Sequence, residues 1–167
     1  YKPSGERLSR DEMLENCEQN LQFLRDLFPD CKFSVENVNF FNTGAYDLAT
    51  DPNFISEVVQ TFDLQFLFDL AHAEVSAVNR GTTLGDYCSR LPLDRINQIH
   101  VSKYGVLKSG VAYDRHGPPD MMEFHTLTKL LLDTFPSIPI TIEFYGDAAQ
   151  LVSTLSQFRR LRAFETT

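Results

Sequence analysis

Acidic residues and histidines recur along the chain with the types and spacing of metal ligands. The segment Asp114-Arg115-His116 separates a carboxylate and an imidazole by one residue, immediately before a Gly-Pro-Pro turn. In extended backbone, residues i and i+2 project to the same side, so Asp114 and His116 can reach a common point. Carboxylate oxygen and imidazole nitrogen together suit borderline divalent metals such as zinc, manganese and iron. This segment therefore predicts a pair of metal ligands.

The remaining candidates stand where predicted strands end. Every predicted strand ends on an acid or a histidine, and His72 lies just beyond the second strand. The carboxyl ends of parallel strands converge at one edge, where ligands bind in α/β folds. The predicted metal ligands are Glu36, Asp69, His72, His100, Asp114, His116 and Glu143. Their four carboxylates and three neutral imidazoles carry a charge of −4, which two divalent ions would offset, so we expect a multinuclear site.

Several of these residues also have an ordinary structural explanation. Glu36 could be a helix cap or a solvated loop charge, while Asp69 and His72 could be a capping aspartate and a hydrogen-bonded histidine. Glu143 is harder to explain in this way, because it lies in the apolar run Ile-Thr-Ile-Glu-Phe and an inward charge needs a partner. Considered jointly, the set favours a metal site.

Strands and helices that alternate along the chain would position these side chains. A capping box formed by Ser9 and Glu12 predicts an amphipathic helix, and Asp51-Pro52 predicts the start of another. Further helices are predicted at 84–91, at 118–135, where the prolines would start the helix, and at 147–164. Strand-like runs lie at 31–38, 64–70, 95–102 and 138–145. This alternation predicts an α/β fold with a parallel sheet.

Composition limits the class of protein. With 167 residues, 43% of them hydrophobic, the chain is expected to form a single globular domain. Its net charge of −8 argues against a nucleic-acid-binding surface. No apolar stretch approaches the length of about 20 residues that spans a membrane, so we expect a cytoplasmic protein. The cysteines, Cys17, Cys31 and Cys88, are scattered without metal-site spacing and are expected to be reduced.

The ordered ligand set resembles that of xylose-isomerase-like TIM barrels, endonuclease IV in particular. The flanking segments point more narrowly to the multinuclear non-haem iron-dependent oxidases, the family that includes the methanobactin-biosynthesis oxidase. The similar segments, which run from about Val35 to Glu143, are VENV, FLFDLAHAEVSAVNRG, LPLDRINQIHVS, YDRHGPP and ITIEF. Members of that family are TIM barrels that bind two or three irons. They use oxygen to modify residues, often cysteines, in ribosomally made precursor peptides, frequently with a partner protein.

The resemblance implies that the seven candidates are iron ligands and that the protein is an oxidase of a precursor peptide. Two departures leave the metal count open: His72 stands where many members have asparagine, and Tyr104 replaces a second histidine. Zinc or manganese is the alternative to iron, in a hydrolase or isomerase of endonuclease IV or sugar-isomerase type. A non-catalytic, truncated barrel is the third hypothesis.

Length sets a further expectation about the domain. A full TIM barrel has about 250 residues, and the resemblance places the strands of this chain as strands five to eight. Residues 1–167 are therefore expected to form the C-terminal half of a barrel, as a single partial domain without the N-terminal half. Such a chain is either a fragment or a half-barrel that pairs with another chain, for example as a homo-oligomer, through its open edges.

Overall fold

A parallel sheet is the central feature of the computed structural model, which describes residues 5, 7–132 and 138–164. Its strands lie side by side in the order β1 (Ser34–Glu36), β2 (Gln65–Asp69), β3 (Ile96–Val101) and β6 (Ile140–Ile142). Every neighbouring pair is parallel. The predicted α/β fold with four parallel strands is therefore confirmed, and it is consistent with part of a TIM barrel.

Helices connect these strands. In chain order they are α1 (Arg10–Leu27), α2 (Pro52–Thr61), α3 (Leu70–Arg80), α4 (Leu84–Cys88), a 3-10 turn at Leu93–Arg95, α5 (Met121–Leu127), a π-helical turn at Thr128–Leu132, and α6 (Ala148–Phe164). The predicted capping box of Ser9 and Glu12 starts α1, and Asp51 caps α2 with Pro52 in its first turn. Both signals work as predicted because each side chain satisfies backbone N–H groups that have no partner inside the helix.

Two helices differ from the prediction. The prolines do not start α5, since Asp120 is its N-cap and accepts a hydrogen bond from the N–H of Met122 at 2.8 Å. Glu123 completes a capping box by accepting the N–H of Asp120 at 2.7 Å. The predicted continuation at 133–135 lies outside the described residues. The second difference is α3, a helix that was not predicted from the sequence. Asp69 caps its start, and Gly81, with φ of 67°, ends it.

An antiparallel hairpin interrupts the expected connection between β3 and β6. It consists of β4 (Lys103–Val106) and β5 (Ala112–Gly117), which form a two-stranded sheet of their own. Gly105 is needed inside it, because a Cβ there would lie 2.7 Å from ring atoms of Tyr113. Asp114 and His116, which lie outside the predicted strands, therefore lie on a strand of this hairpin.

The two faces of the parallel sheet have different environments. Phe66 and Phe68 on β2 are fully buried against the helices, whereas Gln65 and Leu67, which alternate with them, are only half-buried. Amide groups line this second face, where the Asn97 side chain donates to the Gln65 side chain at 2.9 Å. Among the described residues, no strand pairs with the outer edge of β1 or β6. The sheet therefore has one apolar face on a packed core and one polar face.

Candidate metal centre

The carboxyl edge of the sheet positions most of the candidate ligands. Glu36 and Asp69 are the last residues of β1 and β2, and Asp69 is in register with His100 on β3. Glu143 directly follows β6 and continues the ladder, since its N–H donates to the carbonyl of Val101 at 3.0 Å. His72 lies in the first turn of α3, which Asp69 caps. Parallel pairing thus sets these side chains at one edge.

Six of the seven candidates form a closed ring in which carboxylates and imidazoles alternate. In order around the ring the residues are Glu36, His72, Asp114, His116, Glu143 and His100, and the nitrogen-to-oxygen distances between successive members are 3.5, 3.4, 3.0, 3.3, 3.0 and 3.7 Å, the last one closing the ring. The structure therefore brings together side chains from the carboxyl ends of three sheet strands, from one helix and from the hairpin.

The seventh candidate, Asp69, lies directly beside this ring. Its Oδ1 is 3.9 Å from Nδ1 of His72, and ligand atoms of Glu36, Asp69 and His100 all lie within 4.8 Å of one another. Oδ1 of Asp69 accepts the backbone N–H of His72 at 2.8 Å. Asp69 therefore caps α3 and is also a member of the cluster.

The carboxylate of Asp69 is almost completely buried, and its pKa is raised. The side chain is 1% exposed, and Oδ2 is buried without a hydrogen-bond partner among the described residues. Burial raises the pKa of this carboxyl to about 6, with Glu36 and Glu143 adding to the rise and His72 opposing it. A buried anion without a partner is costly, so a cation near Oδ2 would stabilise it.

Asn37 holds two candidate ligands in place, and the sequence pattern did not single it out. It is fully buried, and its side chain pairs reciprocally with the backbone of Asp69, donating at 2.8 Å and accepting at 2.9 Å. The backbone carbonyl of Asn37 lies 2.8 Å from Nδ1 of His72. Because a carbonyl can only accept, Nδ1 of His72 carries hydrogen and Nε2 is the atom that faces Asp114. The only sequence signal for Asn37 was its place directly after the strand-ending Glu36.

The protonation of His72 reflects opposing effects. Burial of the ring lowers the pKa of His72, but Asp69, the Asn37 carbonyl, Glu36 and Asp114 raise it, and the result lies above the usual value. The additional proton belongs on Nε2, since Nδ1 already donates to Asn37. A cation that binds beside Nε2 therefore competes with a proton, which makes binding dependent on pH.

The residues of this cluster fit a divalent cation. Two buried atoms of these residues, Oδ2 of Asp69 and Nδ1 of His100, have no hydrogen-bond partner among the described residues. Nδ1 of His100 is 3.0 Å from Oε1 of Glu143, but the contact lacks hydrogen-bond geometry. Mixed oxygen and nitrogen donors with excess negative charge are the ligand set of zinc, manganese and iron sites.

A cleft of about 600 Å³ opens beside His116. Arg115 and Tyr145 line it, and the Tyr145 ring lies 4.9 Å from the His116 ring while remaining 78% exposed. His116 is therefore reached from solvent through a cleft that Tyr145 and Arg115 line.

Parallel strands with acids and imidazoles at their carboxyl edge define a TIM-barrel-type α/β protein with a candidate metal site. Comparison with known proteins identifies the family. The profile of the RiPP precursor modification enzymes MbnB/TglH/ChrH matches residues 8–166, where RiPP denotes a ribosomally synthesised and post-translationally modified peptide. The chain belongs to this metal-dependent family of xylose-isomerase-like TIM barrels, and the resemblance inferred from the sequence is confirmed.

Curated relatives are UPF0276 proteins, which belong to the same family. One from Acaryochloris marina is 29% identical over 113 residues, which are 68% of this chain and 41% of the relative. One from Vibrio parahaemolyticus is 27% identical over 104 residues, 60% of this chain and 36% of the relative. One from Shewanella loihica is 19% identical over 156 residues, 93% of this chain and 55% of the relative. The chain thus spans about half the length of these relatives or less.

Within the described residues, no helix is long and apolar enough to cross a membrane.

Proposed function

We propose that this chain carries the metal-binding half of an iron-dependent oxidase that modifies residues such as cysteine in a ribosomally made precursor peptide. The ring of alternating carboxylates and imidazoles, with Asp69 beside it, is the observation that carries the proposal. The negative charge of these seven side chains exceeds what one divalent ion offsets, which supports a site for two or three ions. Membership of a family that modifies precursor peptides supports the substrate class.

Iron bound by these residues would supply the redox chemistry that activates oxygen, which side chains alone do not supply. His72 would bind through Nε2, because Asn37 holds the hydrogen on Nδ1. Asp114 and Glu143 each lie between two imidazoles of the ring, so either carboxylate could help to hold an ion together with a neighbouring imidazole. The buried Asp69 would contribute Oδ2 and neutralise charge from the protein side.

The cleft beside His116 gives a peptide its approach to the ring. Tyr145 can stack on an apolar or aromatic side chain of the peptide, and Arg115 can pair with a carboxylate. Both residues are exposed beside His116, so contacts there would hold a reacting side chain next to the ring. The peptide itself would then exclude water from the outer side of the cluster.

The outer edges of β1 and β6 provide the surface on which the site would be completed. Barrels have no free strand edges, so we propose that these edges pair with further barrel strands, from a longer form of the protein or from a second chain. A homo-oligomer and a separate partner protein are both compatible with this role. The polar inner face of the sheet would then line the interior of the barrel.

Anaerobic reconstitution with ferrous iron, followed by Mössbauer spectroscopy, tests the proposal. We expect magnetically coupled iron, and oxygen consumption when a synthetic cysteine-containing peptide encoded next to the gene is added. Stoichiometric zinc or manganese with turnover that ignores oxygen would instead favour an endonuclease IV-like or sugar-isomerase-like hydrolase or isomerase. Weak, substoichiometric binding of every metal would favour a non-catalytic, truncated barrel.

A matched pair of variants separates the site from general effects on folding. Glu143→Gln removes a ring carboxylate with little change in shape, and we expect it to lose the coupled iron signal. Glu15→Gln makes the same chemical change on the exposed surface of α1, and we expect it to retain the signal. Equal signals from the two variants would contradict the proposed site.

A further inference from the structure

Gln98 contacts His100, one of the ring residues, on the side away from the ring carboxylates. It lies on β3 two residues before His100, and its Nε2 is 3.1 Å from Nε2 of His100. The same Gln98 atom is 3.0 Å from Oγ1 of Thr141 on the neighbouring strand β6. The amide group of Gln98 thus contacts the imidazole nitrogen that does not face the carboxylates.

The two orientations of this amide have different consequences for His100. If the amide nitrogen of Gln98 faces the imidazole of His100, it donates to Nε2. The hydrogen of neutral His100 must then be on Nδ1. That N–H would be buried and unsatisfied, because Nδ1 has no partner with hydrogen-bond geometry among the described residues. An unsatisfied buried donor costs about 1–3 kcal/mol.

If the amide is rotated by half a turn, its oxygen occupies the position that the nitrogen holds in the first orientation. A side-chain amide oxygen has two lone pairs, which match the two neighbours: one accepts the Nε2–H of His100 and the other accepts the hydroxyl of Thr141. Oxygen and nitrogen of a glutamine amide are distinguished only by such networks. This orientation gives both neighbours an acceptor and leaves the lone pair of Nδ1 pointing at Glu36 and Glu143.

We propose that Gln98 is a positioning residue of the metal centre, whose side-chain oxygen accepts the Nε2–H of His100 and thereby assigns Nδ1 as the metal-binding atom. The inference rests on the metal site proposed above. Histidine ligands commonly donate their second ring N–H to an acceptor that fixes the ring. His72 has the opposite assignment, since the Asn37 carbonyl holds the hydrogen on its Nδ1. The two histidines would thus bind through different ring nitrogens.

Zinc affinity of variants at position 98 tests the inference. The two amide orientations predict opposite results for Gln98→Glu, because a carboxylate can accept from Nε2–H but cannot donate to an Nε2 lone pair. We expect Gln98→Glu to bind zinc at least as tightly as the wild type. We expect Gln98→Leu to weaken binding by about 10- to 100-fold, the range for loss of a group that orients a ligand.

Asn97→Leu is the matched control. Asn97 adjoins Gln98 on β3, but its amide bonds to Gln65 and Ser34 rather than to His100, so zinc affinity should stay unchanged. Nitrogen NMR of the zinc-loaded protein gives a second measurement, and it should show zinc on Nδ1 and hydrogen on Nε2 of His100. Tight zinc binding by the wild type with equal losses in Gln98→Glu and Gln98→Leu would overturn the role of Gln98 alone. No zinc binding by the folded wild type would overturn both this role and the metal site.

Discussion

Nε2 of His116 lies 3.3 Å from Oε2 of Glu143, and this contact joins the antiparallel hairpin to the end of the parallel sheet. His116 also contacts Asp114 through its other ring nitrogen, Nδ1, at 3.0 Å. The hairpin therefore supplies two adjacent members of the ring. Without it, the sheet edge and α3 would present an open arc of acids and histidines rather than a closed ring.

Replacing His116 with alanine should weaken metal binding by more than about 100-fold, since loss of a ligand should exceed the 10- to 100-fold loss typical of its supporting residues. Isothermal titration with zinc measures the effect. His125→Ala is the control, because His125 is exposed on α5 and is not a member of the ring. Similar affinities of the two variants would exclude His116 as a ligand.

Zinc should raise the melting temperature of the metal-free protein. A ligand at 100 times its Kd stabilises the folded state by about 2.7 kcal/mol, which corresponds to a rise of about 5–10 °C for a chain of this size. Part of the gain would come from relief of repulsion among the ring carboxylates. Calorimetry with and without zinc tests this, and an unchanged melting temperature at saturating zinc would contradict it.

Glu74 should make the metal-free protein less stable as pH rises. Burial raises the pKa of this carboxyl from 4.5 to about 8, with Glu123 and Asp69 adding to the rise, and Oε2 has no hydrogen-bond partner among the described residues. Because the folded-state pKa is the higher one, stability is greatest below the unfolded-state pKa and is lost as pH rises through about 8. Glu74→Gln should therefore gain about 1–3 kcal/mol over the wild type at about pH 9 and little at about pH 4.

Urea unfolding at both pH values measures that difference, with Glu15→Gln on the exposed face of α1 as the control. The control should shift stability equally at the two pH values. If Glu74→Gln does the same, the carboxyl of Glu74 ionises normally in the folded protein.

The cysteines should differ in their reaction with an alkylating reagent. Burial raises the pKa of Cys88 to about 12 and also raises the pKa of Cys17, while Cys31 is exposed. Since the thiolate is the reactive form, Cys31 should react first and Cys88 only after unfolding. Mass spectrometry of peptides from partly alkylated protein measures the order. Early labelling of Cys88 would mean that its surroundings open in the folded state.

Much of the fold and cluster could be predicted because it depends on local rules. The alternation of strand-like runs and capped helices predicts a parallel sheet, and parallel pairing alone places Glu36, Asp69 and His100 at one edge. Of the other predicted residues, Glu143 and His72 join them at that edge, whereas Asp114 and His116 reach the cluster through the hairpin. Their role as metal ligands stays a prediction.

The remaining features depend on tertiary contacts. The hairpin was missed because polar and aromatic residues dominate β4 and β5. The extended conformation expected for His116 was wrong, since this residue adopts φ of 48°. Asn37 was missed because its importance lies in a pairing with the backbone of Asp69, which sequence spacing does not reveal. The helix α3 did have a signal, since Asp69 and Gly81 mark its two ends.

The separation between the hairpin and the parallel sheet has a consequence for the width of the cluster. The hairpin shares no ladder with that sheet, and it is attached to α3 by Asn79, which exchanges two hydrogen bonds with the backbone of Ala112. A tilt about this attachment would carry Asp114 and His116 together and leave the register of Asp69 with His100 unchanged. In the proposed metal site, such a tilt would change the distances from these two candidate ligands to the other five, which would stay in place.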